Sequence, residues 1–318
     1  MVFMMDRIDS DNEEINIASA VTLLLKNKGK IFFVSLFVSI AFYGYSKTLQ
    51  DLYTSSTLLK INDSFQSENN PMSSLTSQYG GLASLAGISL PSGGGDKAEY
   101  IIETAKSKEF AEHLMSFEMV TENIMAAESY SKSEKKIIYD SKLYDFENDQ
   151  WVRSLKKYRQ KEPSVIEVHK ELSKKLSVSK DLDSGFITIS YRHTSPVFAR
   201  DLVNLIVDEV NTVSKKKDLE ESEKALVFLN EQLVTYNQVE LIRSINTMIK
   251  SQLHTKMMAN ISDDYLVKKI DKPYVPEVKS FPSRALFAIL GLLVGFVVIT
   301  SYILIRSSGF IASLNYSK

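Results

Sequence analysis

The chain has 318 residues, with 38 Lys and Arg against 39 Asp and Glu, and no cysteine. This near-neutral balance excludes the basic face of a nucleic-acid binder. The missing cysteines exclude disulfide frameworks, thiolate metal sites and cysteine nucleophiles together, and His113, His169, His193 and His254 are too scattered to form a local ligand motif.

Residues 1–30 read as a cytoplasmic tail that carries Asp6, Asp9, Asp11, Glu13 and Glu14 and ends in Lys26, Lys28 and Lys30. An apolar run follows, IFFVSLFVSIAFYGY from Ile31 to Tyr45. Extended to Leu49, it reaches about 28 Å of helix with Lys47 at an interface. A membrane span over 31–49 is expected. The competing reading is a cleaved signal peptide, which the acidic tail before the run and the lack of an A-x-A-like site after it disfavour. Lysines before a span mark its cytoplasmic side.

Residues 50–283 are expected outside the cytoplasm as a mixed α/β domain. Leu52–Ile61 reads as a strand. Residues 80–95 (GGLASLAGISLPSGGG) hold half of the chain's 12 glycines but lack the Gly-Lys-[Ser/Thr] ending of a P-loop. They read as a surface loop or, through Leu82, Leu85, Ile88 and Leu90, as a contact with a neighbouring subunit. Asp96 with Glu99 suggests a capping box for a helix to Phe117, and Ser164 with Glu167 suggests another. The period then changes to two. Leu176-x-Val178 leads through Asp183-Ser184-Gly185 to Ile187-x-Ile189-x-Tyr191, an antiparallel hairpin, and a last strand is expected over Tyr265–Ile270.

Residues 197–272 contain neither Gly nor Pro. Ser195-Pro196 opens a helix as N-cap and first helical residue, and Ala199, Leu202, Leu205, Ile206 and Val210 face a core. Ser214–Lys224 (SKKKDLEESEK) is charged on every side, the pattern of a helix in open solvent. The apolar stripe resumes at Leu226, Leu229, Leu233, Tyr236 and Val239 and continues through Ile242, Ile245, Ile249 and Leu253. One helix over 196–258 would span about 95 Å. It should project, or fold back near the charged stretch, and bury its stripe against other copies; the simpler alternative is a helical hairpin.

Pro273, Pro276 and Pro282 stiffen the approach to a second span over 284–305, where Ala285–Ile305 carries no charge. In it Gly291-x-x-x-Gly295 permits close helix packing, and Ser35 and Ser39 repeat that spacing in the first span. The glycines are therefore candidates for oligomer or polymerase packing, as are Leu226, Leu229, Leu233 and Tyr236. Two spans place residues 306–318 back in the cytoplasm. No catalytic, cofactor or metal motif is present, so an enzyme is not expected.

Three stretches carry a family resemblance: SGFITISYRHTSPVFARDLVNLIVDEVN (Ser184–Asn211), ALVFLNEQL (Ala225–Leu233) and KPYVPEVKSFPSRALFAILGLLVG (Lys272–Gly295). With GGLASLAGISL and the two spans, the chain resembles a Wzz-type chain-length determinant, a polysaccharide co-polymerase, of the class without a kinase domain. The resemblance implies an inner-membrane protein of a Gram-negative bacterium, assembled as a ring-like homo-oligomer. It would set the modal length of O-antigen in lipopolysaccharide beside the polymerase, which works from lipid-linked repeats. A capsule or exopolysaccharide export partner, and a two-span periplasmic sensor or adaptor, are the alternative readings.

Overall fold

The computed structural model describes residues 17–62, 94–154, 160–235 and 237–315. The chain divides into two compact units, one of residues 1–50 with 282–318 and one of residues 51–281.

The first unit is helical: α1 (Ile17–Lys26), α2 (Lys28–Thr48) and α9 (Arg284–Asn315). Lys28–Thr48 and Arg284–Arg306 are long and apolar enough to cross a membrane. The first begins three residues before the expected span, so Lys28 and Lys30 belong to the helix itself. Its Phe32, Phe33, Phe37 and Ile40 are exposed, as are Leu286, Ile289, Val297 and Val298 of the second. Helices that are apolar on their outward faces require apolar surroundings.

The second unit is built on an antiparallel sheet of β1 (Tyr53–Ile61), β6 (Leu176–Lys180), β7 (Ile187–His193) and β8 (Val267–Asp271), in the order β6-β7-β1-β8. Alternation sets its faces: along β1 every second residue is buried. Ile189 pairs with Thr57 on one side and Val178 on the other, which puts the buried positions in rows. The β6–β7 turn is held by the Asp181 carboxylate, which accepts from the Asp183 and Ser184 amides, while Gly185 takes φ +73°, a conformation glycine adopts without Cβ strain.

Helices cover the apolar face. Strands β2 (Ala127–Ser131) with β3 (Lys136–Tyr139), and β4 (Tyr144–Asp145) with β5 (Gln150–Trp151), form two separate small hairpins. The expected helix from Asp96 to Phe117 is two helices, α3 (Gly94–Lys106) and α4 (Lys108–Met115). Ser107 breaks the run and caps the second piece by accepting the Phe110 amide, and Asp96 lies inside α3 rather than at its cap. Then come α5 (Val120–Ala126) and α6 (Val165–Lys175), the latter with the complete Ser164–Glu167 capping box. Their buried residues, including Ile101, Phe110, Leu114, Val168 and Leu172, join Leu59, Ile187 and Ile189 of the sheet and Leu202, Val203, Ile206 and Val210 of α7 (Pro196–Thr235) in one core.

The 196–258 helix is not continuous. α7 has 40 residues and ends at Thr235; Gln238 is extended and caps α8 (Val239–Ile261). The pair closes a satellite core of Ala225, Leu229 and Ile245, backed by Leu233, Leu241, Met248 and Ile249. The stripe is thus buried in part by the chain's own return, at Leu229, Leu233, Ile245 and Ile249, while Val239 and Leu253 stay exposed, and the turn falls beyond the charged stretch rather than within it. Nor is that stretch solvated all round. Ser214 and Ser222 are buried on α7, as are Ser251, Gln252 and Ala259 on α8; the Tyr265 hydroxyl donates to Asp218 at 2.7 Å and Lys256 pairs with Glu223 at 3.3 Å. A seam of small side chains lets two helices approach without a run of large apolar residues to announce it.

Candidate functional site

With the bilayer-length helices, the GxxxG spacing of α9 meets the SxxxS spacing of α2. A Cβ on Gly291 would stand 2.7 Å from Phe42 Cβ and 2.9 Å from Ser39 Cα, and a Cβ on Gly295 would stand 2.8 Å from Ser35 Cα. Ser39 donates its hydroxyl to the Ala288 carbonyl at 2.7 Å. Partner numbers fall on α2 as they rise on α9, so the two helices run antiparallel. Small residues replace side-chain packing with backbone contact, where an interhelical hydrogen bond adds to the attraction. Gly291 and Gly295, expected between subunits or at the polymerase, are therefore occupied by the first helix of their own chain.

The stripe residues divide. Leu229 is 2% exposed, inside the satellite core, with Leu233 packed against it and Leu226 half-buried; Tyr236 lies outside the described residues. The hairpin's outward apolar side chains are Val227, Phe228, Val234 and Met257 beside the stripe, and Val239 and Leu253 within it. These, unlike Leu229, are available to a neighbour.

Pro273, Pro276 and Pro282 are all buried, each with at least one exposed neighbour. The segment carrying the first two runs beside the root of β1. Leu52 donates its amide to the Phe281 carbonyl and accepts that of Ser280, the Ser55 hydroxyl reaches the Tyr274 carbonyl, and Lys279 pairs with Asp51 at 2.6 Å. Prolines suit the positions in this segment where no amide is needed, since the bridge to Leu52 is made by the Ser280 and Phe281 amides.

Three features have no counterpart in the sequence reading. His193 is buried where β7 meets α7. Its Nε2 donates to the Asn123 carbonyl at 2.8 Å and its Nδ1 accepts the Ser195 amide at 3.0 Å, which sets the tautomer. Burial pulls its pKa down to about 4. Ser195 in turn caps α7 by accepting the Phe198 amide. Asn211 is buried in α7, donating to the Val267 carbonyl and accepting the Leu266 and Val267 amides, so one side chain satisfies the backbone where β8 begins. Arg153, also buried, donates to the carbonyls of Gln160, Lys161 and Glu162 and to Glu167. A single His, Asn or Arg in a sequence carries no local signal for such partners.

Among the described residues, no group of three or more His, Asp or Glu could hold a metal ion.

No family model and no curated protein matches this chain. Among solved structures it is similar to a full-length bacterial polysaccharide co-polymerase, with a TM-score of 0.35 and 16% identity over 95% of this chain and 98% of that one. It is also similar to a fragment of WzzB, the polysaccharide co-polymerase from Salmonella Typhimurium, with a TM-score of 0.30 and 13% identity over 73% of this chain and 100% of that one.

Proposed function

We propose that this protein is a two-span inner-membrane co-polymerase that regulates the modal chain length of O-antigen. The observation that carries this reading is the antiparallel packing of α2 and α9. If both cross the bilayer, residues 51–281 share one side and the two chain ends share the other, and the lysines before α2 assign the ends to the cytoplasm. The body is then periplasmic, where surface polysaccharide is polymerised. The resemblance carried by Ser184–Asn211, Ala225–Leu233 and Lys272–Gly295 supports the same role.

In this reading the protein makes and breaks no bond. It acts as a homo-oligomeric scaffold that governs how long a growing glycan stays with the polymerase, and the outward apolar side chains of the α7–α8 hairpin supply contacts between copies. The partners are further copies of the chain, the O-antigen polymerase and its lipid-linked glycan. A silver-stained lipopolysaccharide gel of a deletion strain and its complemented partner tests the role. Loss of the clustered band distribution on deletion, restored by the gene, is expected; an unchanged ladder would exclude O-antigen length control and favour a capsule or exopolysaccharide export role.

A further inference from the structure

The β4–β5 hairpin, with Tyr139 at the end of β3, holds a connected row of aromatic rings outside the main core. Phe146 stacks on Tyr139 with centroids 5.3 Å apart and planes 10° apart; Tyr139 meets Tyr144 at 5.6 Å, and Tyr144 meets Trp151 at 5.1 Å. The guanidinium of Arg153 closes the row, 5.8 Å from the Trp151 ring. The polar ends of the inner rings are already engaged, Tyr139 donating to Asn123 and Tyr144 to Asp149. What the row offers outward is ring surface. Phe146 is 62% exposed, and because Tyr139 covers one of its faces, the other looks to solvent.

The turn does not need that phenyl group. Asp145 accepts the Glu147 and Asn148 amides and the Asn148 side chain, and Arg153 ties the hairpin's root to the segment before α6 through three hydrogen bonds and to Glu167 in its first turn through a fourth. The ring is displayed on a braced support, the condition under which little ordering cost accompanies binding. Around it stand the exposed polar groups of Glu147, Asn148 and Gln150. An apolar ring face rimmed by carboxylate and amide groups matches a pyranose, which has a C–H face and equatorial hydroxyls. Residues 144–151 (YDFENDQW) include three acids and no base, so the matching sugar lacks carboxylates and phosphates.

We propose that the β4–β5 hairpin is a glycan-binding platform, with an uncharged pyranose of a polysaccharide chain stacked on Phe146 and its hydroxyls bonded to the hairpin tip. This rests on the proposed role in polysaccharide assembly for its choice of occupant. Under that role, the platform is where this chain touches glycan.

Trp151 is the chain's single tryptophan, so tryptophan emission reports on this row alone. The full-length protein in detergent is titrated with chitopentaose, maltoheptaose and a rhamnan oligosaccharide, with oligogalacturonate as the acidic contrast. Saturable change of Trp151 emission with at least one neutral probe is expected, weakened at least tenfold in Phe146→Ala and absent with oligogalacturonate. Flat titrations with all neutral probes, or binding that survives Phe146→Ala, would overturn the proposal. So would emission that follows protein concentration and ignores glycan, which would make a second copy the occupant. The lipopolysaccharide gel separates the two readings. A ladder that responds to deletion beside flat titrations removes the platform and leaves length control standing. Phe146-dependent binding beside an unresponsive ladder upholds the platform and removes length control.

Discussion

Gly295 backs onto Ser35 so closely that a methyl group on the glycine would stand 2.8 Å from the serine's Cα and 3.3 Å from its carbonyl oxygen. The obstacle is backbone, so no change of rotamer relieves it. Gly295→Ala should therefore force the helices apart, at a cost of about 1–3 kcal/mol for overpacking, and Gly291→Leu should do so more severely. Trimming Ser35→Gly should not rescue Gly295→Ala. By contrast Gly44 has open space around its would-be Cβ, and Gly44→Ala should be neutral or slightly stabilising. Thermal unfolding of the detergent-solubilised variants measures all four; equal losses at positions 44 and 295 would contradict the packing.

His193 makes stability depend on pH in a defined window. Burial holds it neutral in the fold, and Lys175 adds to the depression, against the hydrogen bond to the Asn123 carbonyl that opposes it. In the unfolded chain it titrates near 6.5, so between pH 6.5 and about 4 the unfolded state binds the extra proton. Stability is then full above pH 6.5 and falls with acidification by up to about 3 kcal/mol. His193→Asn should show a shallower dependence in that window, with lower stability at pH 7.5 because buried partners are left unmatched. Denaturant midpoints at pH 4.5, 5.5, 6.5 and 7.5 check this; parallel curves for both proteins would exclude His193 as the source.

The α7–α8 seam and the outward face of the hairpin should respond differently to substitution. Ser222 is buried where the helices meet, and Ser222→Leu should lower stability by about 1–3 kcal/mol through overpacking. Leu229→Asp should unfold the hairpin outright, since it leaves a charge in the satellite core. Leu253→Glu with Met257→Glu changes exposed positions, so the fold should hold while the detergent-extracted complex shrinks. Native mass and circular dichroism measured together separate the two classes.

Arg153 and Glu167 tie the β4–β5 hairpin to the start of α6. Burial alone would raise the Glu167 pKa, but the Ser164 amide and Arg153 outweigh it and hold the carboxyl below its ordinary value. A depressed carboxylate stabilises the fold above its unfolded pKa and loses that contribution as pH falls through the folded value. Arg153→Met should remove the Arg153 share of this acid sensitivity, shift Trp151 emission, and lower stability by about 1–3 kcal/mol through the loss of four hydrogen bonds to a charged donor. Unaltered emission in the variant would show that the stack does not position the ring.

Local chemistry was legible in the sequence wherever one short segment contains both partners. Ser164 and Glu167 close their box three residues apart; Asp183, Ser184 and Gly185 mark one turn; Ser195 and Pro196 open α7; the uncharged run before Arg306 makes a bilayer-length helix under any fold. The tertiary structure decided everything that depends on which distant segment arrives. Gly291 and Gly295 advertise a close helix contact without naming the helix, and only the fold supplies Ser39 and Ser35 of the same chain. Ser214 and Ser222 read as solvated because a small polar residue suits water and a close-packed seam equally well. The break after Thr235 has no proline or glycine to mark it; α7 stops there because its apolar stripe is covered by the return of α8, a pairing energy spread over both helices and held in no single residue.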